Sequence, residues 1–253
     1  MAPPTLTHLL LDIEGTTCPV SFVAETLFPF ARRHLPAYLA RHRHDPEVAA
    51  LLGELERAQA EDADAPGFDA VSRSTDGGLS QAVAYLDWLM EHDRKLTPLK
   101  QLQGLVWESG YADGSLVAPL YPDVAPALAL AHRSGLTLTV YSSGSVPAQQ
   151  LLYAHTPAGD LRPLFQHWFD TRTGAKQEPQ SYRRIAAAMG ADPARILFVS
   201  DATGELRAAA AAGLQVLFSD RPGNPERDPA GFASITSFAA LGEIPGSGDK
   251  GPS

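Results

Sequence analysis

Cysteine is almost missing: Cys18 is the single one among 253 residues. That excludes an internal disulfide, fits a reducing compartment and, with only three methionines, argues against a thiolate metal site. Runs of basic residues are absent too. Twenty Lys and Arg stand against 29 Asp and Glu, a formal net charge of −9. A surface of that sign repels phosphate backbones and anionic lipid, so the expected partner is a small molecule, with no nucleic acid and no membrane. No apolar run approaches the roughly 20 residues of a membrane span. The opening MAPPTLTHLLLD has neither the basic start nor the apolar length of a signal peptide. A cytoplasmic monomer is expected.

What is present is 44% hydrophobic residues, enough for a substantial core in one large domain or a domain with a sizeable insertion. THLLLD (7–12) reads as a short buried strand ending in a polar turn. From about Phe22 to Trp107 the apolar positions recur at helical spacing instead. DPEVAALLGELERAQAED (45–62), LSQAVAYLDWLMEHDRK (79–95) and TPLKQLQGLVWESGY (97–111) predict three helices, with a loop over 64–78. After Pro122 strands and helices alternate. Helices are expected at 122–135, from Val146 and at 179–190, and strands in LTLTVYSSGS (136–145), HWFDTRTGAK (167–176), ARILFVSDATGE (194–205) and QVLFSDRPGN (215–224). Such alternation predicts an α/β fold with a parallel sheet covered on both faces. The helical block interrupts it after the first strand. An insertion leaving from there arises at the sheet edge where open α/β sheets bind ligands.

Four segments bring chemistry to that edge. LLLDIEGTT drives a leucine strand into Asp12 and Glu14, which as i and i+2 at a strand end face the same way. Two carboxylates so close repel, and a divalent cation or a division of labour between nucleophile and acid removes the conflict. Gly15 permits a sharp turn and close approach of a phosphate. Ser142-Ser143-Gly144 ends a second strand, Lys176 follows a third, and Ser200-Asp201 ends a fourth, with Glu205 one turn on. Oxygen donors alone point to Mg²⁺ rather than zinc.

DIEGT, the strand-ending SSG, a later lysine and SD resemble the four-motif set of the haloacid dehalogenase superfamily. DIEGTT with Glu as the second acid, YSSGSVPAQQLL, FDTRTGAK and TPLKQLQGLVW are similar, over about residues 7–238, to the enolase-phosphatase (acireductone synthase) family of methionine salvage. The resemblance implies a Rossmann-like doubly wound core over 1–20 and 115–245 and a helical cap over 21–114, and the composition of GSGDKGPS predicts a disordered tail over 246–253. It implies a two-step enzyme that enolises 2,3-diketo-5-methylthiopentyl-1-phosphate and then removes the phosphate, giving the acireductone. Asp12 would be the nucleophile. Glu14 would protonate the leaving oxygen and activate water, or assist the metal, or both. Ser142, Ser143 and Lys176 would hold the phosphoryl group, and Asp12, Glu14 and Asp201 would bind Mg²⁺. The enolisation base stays open among Glu14, a cap residue and metal-bound water. Another Mg²⁺-dependent small-molecule phosphatase of the superfamily is the rival reading.

Each residue also has a plain structural reading. Asp12 and Glu14 could be a solvated turn, SSG a helix N-cap, Lys176 a surface lysine and Asp201 a helix cap. Their shared edge favours the functional reading. Glu205 and Glu178 read as structural or supporting residues. Cys18 reads as a small buried side chain, and the histidines, which share no spacing, as scaffold or surface. Lys100, Gln103 and Trp107 share one helix face by i, i+3, i+7 spacing. Lys100 is the candidate substrate contact among them.

Overall fold

The computed structural model describes residues 4–65 and 78–243. Most of the expected 64–78 loop and the expected tail therefore lie outside the described residues. The chain divides into two compact units, Met1–Val23 with Val117–Ser253, and Ala24–Leu116.

The first unit is a six-stranded sheet flanked by helices. Its strands are β1 (His8–Leu11), β2 (Thr137–Tyr141), β3 (Phe165–Phe169), β4 (Ile196–Ser200), β5 (Gln215–Ser219) and β6 (Ser234–Ile235). Every pairing is parallel, and the order is β3-β2-β1-β4-β5-β6. β1 lies at the centre, with Leu11 opposite Val140 on one side and Val199 on the other. A central parallel strand is covered on both faces, so it reads as an unbroken leucine run rather than an alternation. Leu10 packs with Tyr141, Tyr182, Phe198, Leu206 and Phe218 in the core of this unit. The strand order reverses between β1 and β4. Ligands of open sheets bind in the crevice outside such a reversal. Asp12 and Asp201 directly follow these two strands.

The second unit is helical: α1 (Phe28–His42), α2 (Pro46–Glu61), α3 (Leu79–Glu91) and α4 (Thr97–Ala112). Leu35 and Leu39, Leu51 and Leu55, and Leu102 and Val106 meet in its core at i, i+4 spacing. Proline opens α2 and α4 within the first two positions, where its missing N–H costs nothing. α3 stops at Glu91, short of the expected residue 95. Asp93 takes a positive φ of 48°, and Arg94 N–H closes back on the Leu89 carbonyl at 2.8 Å. That is a left-handed C-terminal stop formed without glycine. No helix among the described residues is long and apolar enough to cross a membrane.

Returning to the sheet, its helices are α5 (Val124–Arg133), α6 (Val146–Ala154), α7 (Pro179–Met189) and α8 (Thr203–Ala211). The strand start expected at residue 167 falls at Phe165. β6, two residues long, was not expected at all.

Candidate active site

The first unit forms by itself a cavity of about 190 Å³ at the C-terminal ends of its strands. Asp12, Glu14, Val20, Ser142, Ser143, Lys176, Asp201, Glu205 and Pro225 line it. Six of the seven site residues expected from the sequence thus stand together. The seventh, Lys100, is exposed on α4 of the helical unit. Its neighbours on that face are engaged within the helical unit. Gln103 is buried, and the Trp107 indole donates to the Leu27 carbonyl at 2.8 Å.

Asp12 is held on three sides. Its Oδ1 accepts the Ile13 N–H at 2.8 Å, while Oδ2 accepts the Ser200 hydroxyl at 3.1 Å and Lys176 Nζ at 2.7 Å. The next turn closes on one carbonyl, since the N–H groups of Thr16, Thr17 and Cys18 all reach Ile13. Thr17 also shares a 2.8 Å hydrogen bond with the Tyr153 hydroxyl. Gly15 has φ +66°, and a Cβ there would stand 2.1 Å from Asp201 Oδ2. Only glycine lets the two turns approach so closely.

Lys176 meets two carboxylates, Asp12 Oδ2 at 2.7 Å and Glu205 Oε2 at 2.8 Å. Burial alone would lower its pKa. The charges and hydrogen bonds of Asp12 and Glu205 win, and the ammonium is held well above the usual lysine range. Its loop is fixed by side chains: Tyr182 donates to the Lys176 carbonyl at 2.7 Å, Tyr141 to Gly174 at 3.0 Å and Ser181 to Ala175 at 2.7 Å. The serine loop is fixed in the same manner. The Gln149 amide donates to the carbonyls of Gly144 and Phe169 at 2.7 and 2.8 Å.

The acids outnumber the lysine. Burial, and then the charge of Asp12, push the Asp201 and Glu205 carboxyls each up to about 7. The same two causes raise Glu14, with Lys176 opposing them. Among the described residues no three His, Cys, Asp or Glu side chains form a metal cage. The donor chemistry nevertheless fits a hard cation: one buried and three partly buried carboxylates, oxygen donors only, and one ammonium to offset four acids. Burial and the Glu14 charge push the Cys18 thiol up to about 12, which leaves it protonated and unsuited to attack.

Three participants lacked a strong sequence signal. Ser200 stood beside Asp201 without a role, and it bridges Asp12 and Glu205. Glu205 read as a supporting helix residue, and its side chain turns back to Lys176. Asn224 follows Pro222 and Gly223 and has the pattern of a plain turn residue, although its amide reaches the Gly15 carbonyl at 2.8 Å. A polar side chain just past a strand end is the signal that was there. Glu178 precedes α7 without capping it.

A family model described as haloacid dehalogenase-like hydrolase matches residues 6–213. A curated relative, Enolase-phosphatase E1 of Synechococcus sp. (strain RCC307), is 49% identical over 235 residues, which cover 92% of each chain. The UTR4 protein structure from Saccharomyces cerevisiae is similar at TM-score 0.76 and 34% identity, covering 92% of this chain and 98% of that one. CbbY from Rhodobacter sphaeroides, solved with phosphate, shares the fold at TM-score 0.57 and 20% identity, covering 94% and 96% of the two chains.

Proposed function

The chain belongs to the haloacid dehalogenase-like hydrolases and within them to the enolase-phosphatases, and from that premise we propose the substrate, the cofactor and the role of each residue at the sheet edge. The substrate is 2,3-diketo-5-methylthiopentyl-1-phosphate and the product the acireductone plus inorganic phosphate. The observation that carries the reading is the Asp12 carboxylate, gripped by Lys176 and Ser200 in a cavity that Glu14 shares.

In the phosphatase half, an Asp12 oxygen attacks phosphorus, and the bond from phosphorus to the substrate oxygen breaks. Glu14, which shares the cavity with Asp12, protonates that leaving oxygen. Glu14, now a carboxylate, then takes a proton from water. The water oxygen attacks the aspartyl-phosphate, freeing Asp12 and phosphate. Ser142 and Ser143 bind the phosphoryl oxygens. Lys176 offsets the charge that gathers on them, and Glu205 keeps its ammonium in place. Asp12 and Asp201, with an oxygen of Glu14, would hold Mg²⁺, whose charge would offset repulsion between the carboxylate and the phosphoryl anion. The helical unit is assigned the cap role. This rests on its insertion directly after the first strand of the sheet and its turn.

A time course with the diketone phosphate and Mg²⁺, following enol absorbance and free phosphate together, tests the reading. Enol first and phosphate second is the expected order. Phosphate release from generic esters with no turnover of the diketone would overturn the substrate and keep the Asp12 chemistry.

A further inference from the structure

The turn that carries Asp12 and Glu14 is held from behind by a side chain that the scheme above does not use. Asn224, in the loop after β5, is buried. Its amide nitrogen donates to the carbonyls of Gly15 at 2.8 Å and Ser219 at 3.1 Å. Those two acceptors fix which way the amide points, since the flipped amide would set its oxygen against two carbonyl oxygens. Oδ1 therefore points elsewhere, and it is buried with no hydrogen-bond donor among the described residues. A Cβ on Gly15 would stand 2.9 Å from this Oδ1 and 2.1 Å from Asp201 Oδ2. The amide oxygen and the Asp201 carboxylate thus flank the same side of the turn. A carboxylate ligand with a neutral acceptor beside it suits a hydrated cation: the first binds the ion, the second accepts from its water.

The same loop grips the other ligand-bearing turn. Glu226 accepts the Thr203 N–H at 3.0 Å and the Thr203 hydroxyl at 2.5 Å, two residues beyond Asp201. Residues 220–226 therefore tie the Gly15 turn to the start of α8.

We propose that Asn224 is a positioning residue of the cation site: its nitrogen fixes the Gly15 carbonyl, and its oxygen accepts a hydrogen bond from a water carried by the cation. This rests on the reading of Asp12 and Asp201 as cation ligands.

The test is a Mn²⁺ titration of the full chain followed by electron paramagnetic resonance, with no substrate present. Asn224→Ala is expected to weaken binding about tenfold or more. Asn224→Ser keeps a short hydroxyl donor but cannot reach the cation side. It is expected to do the same, and it carries the test if the alanine variant does not fold. Ser219→Ala is the control, because the Ser219 hydroxyl donates to the same Gly15 carbonyl at 3.1 Å with nothing left to offer a cation. Its affinity is expected to stay within about twofold of the parent. Unchanged Mn²⁺ affinity in the Asn224 variants overturns the proposal. An equal loss in Ser219→Ala also overturns it, because anchoring of Gly15 would then explain everything. Failure of the parent chain to bind Mn²⁺ overturns the cation reading itself, and the inference falls with it.

Discussion

The two units of this chain both have apolar cores but differ in the charges they bury. The helical unit fills its interior with Leu, Val and Tyr, and most of the ion pairs among its described residues sit at the surface. Arg32 meets Asp87 and Glu91 where all three side chains are about half exposed, and Lys95 meets Asp93 in the open. Among the described residues the exception is Arg94, whose partner Asp62 is largely shielded from water. The α/β unit instead takes Asp12, Lys176, Asp170 and Arg221 out of water. Desolvating an ion costs several kcal/mol, and apolar side chains of the same volume would often hold a fold as well or better. A sheet does not need these charges in order to fold. The Asp12–Lys176 pair, inside the cavity at the strand ends, is the mark of a site maintained for chemistry at the expense of stability.

The largest effect should come from breaking that site where stability has least to lose. Asp12→Asn removes the attacking carboxylate and keeps the shape. Phosphate release at saturating Mg²⁺ is expected to fall by about four orders of magnitude. The melting temperature should hold or rise, because Lys176 retains Glu205 and one acid leaves a crowded cluster. Substantial residual turnover would rule out an aspartyl-phosphate. A collapse of the fold would show the buried charge to be structural, and the contrast between the units would lose its meaning.

The legibility of this chain follows the same contrast. β1 could be read because burial on both faces forces an unbroken apolar run, and the polar residues that end it stand out. The ends of β2 and β4, with Ser142 and Asp201, were legible for that reason. Glu205 was not, because i+4 from Asp201 on a helix says nothing about a side chain that bends back to a lysine from another loop. Asn224 reads as an ordinary turn former beside Pro222 and Gly223. Its two hydrogen bonds depend on tertiary approach, one of them to a residue more than 200 positions away. In the helical unit the three clear helices follow from the Leu and Ala periodicity. The early end of α3 depends on a left-handed Asp93, which propensity does not reveal.

A smaller effect is expected from a buried ion pair away from the chemistry. Arg221 Nη1 lies 2.9 Å from Asp123 Oδ2, and its guanidinium lies between the rings of Tyr121 at 4.6 Å and Phe238 at 4.9 Å. Burial alone would raise the Asp123 pKa. The Phe238 N–H, Arg221 and the Ser237 hydroxyl outweigh burial and hold it below the usual carboxylate range. Its folded value is thus below its unfolded value, so its stabilisation is complete above about pH 3.9 and fades as pH falls toward the folded value. Arg221→Met should cost about 3 kcal/mol at pH 7, the low end for a broken buried pair because Asp123 is partly exposed. In urea melts the gap between parent and variant should narrow below about pH 4. A gap that is constant down to pH 3 would assign the loss to packing against the two rings rather than to charge.

The smallest effect belongs to the helical unit. Arg32 makes two short contacts, 2.5 Å to Asp87 and 2.6 Å to Glu91, so distance alone would rank it above Arg221. Exposure decides otherwise. Water already solvates all three groups, salt screens them, and holding long side chains in one geometry costs rotamer freedom. Arg32→Ala should move the urea midpoint far less than Arg221→Met does, and what shift remains should vanish in about 1 M salt. If Arg32→Ala cost as much as Arg221→Met, a surface pair would be supporting the fold as strongly as a buried one. Burial would then no longer set the charges of the α/β unit apart from those of the helical unit.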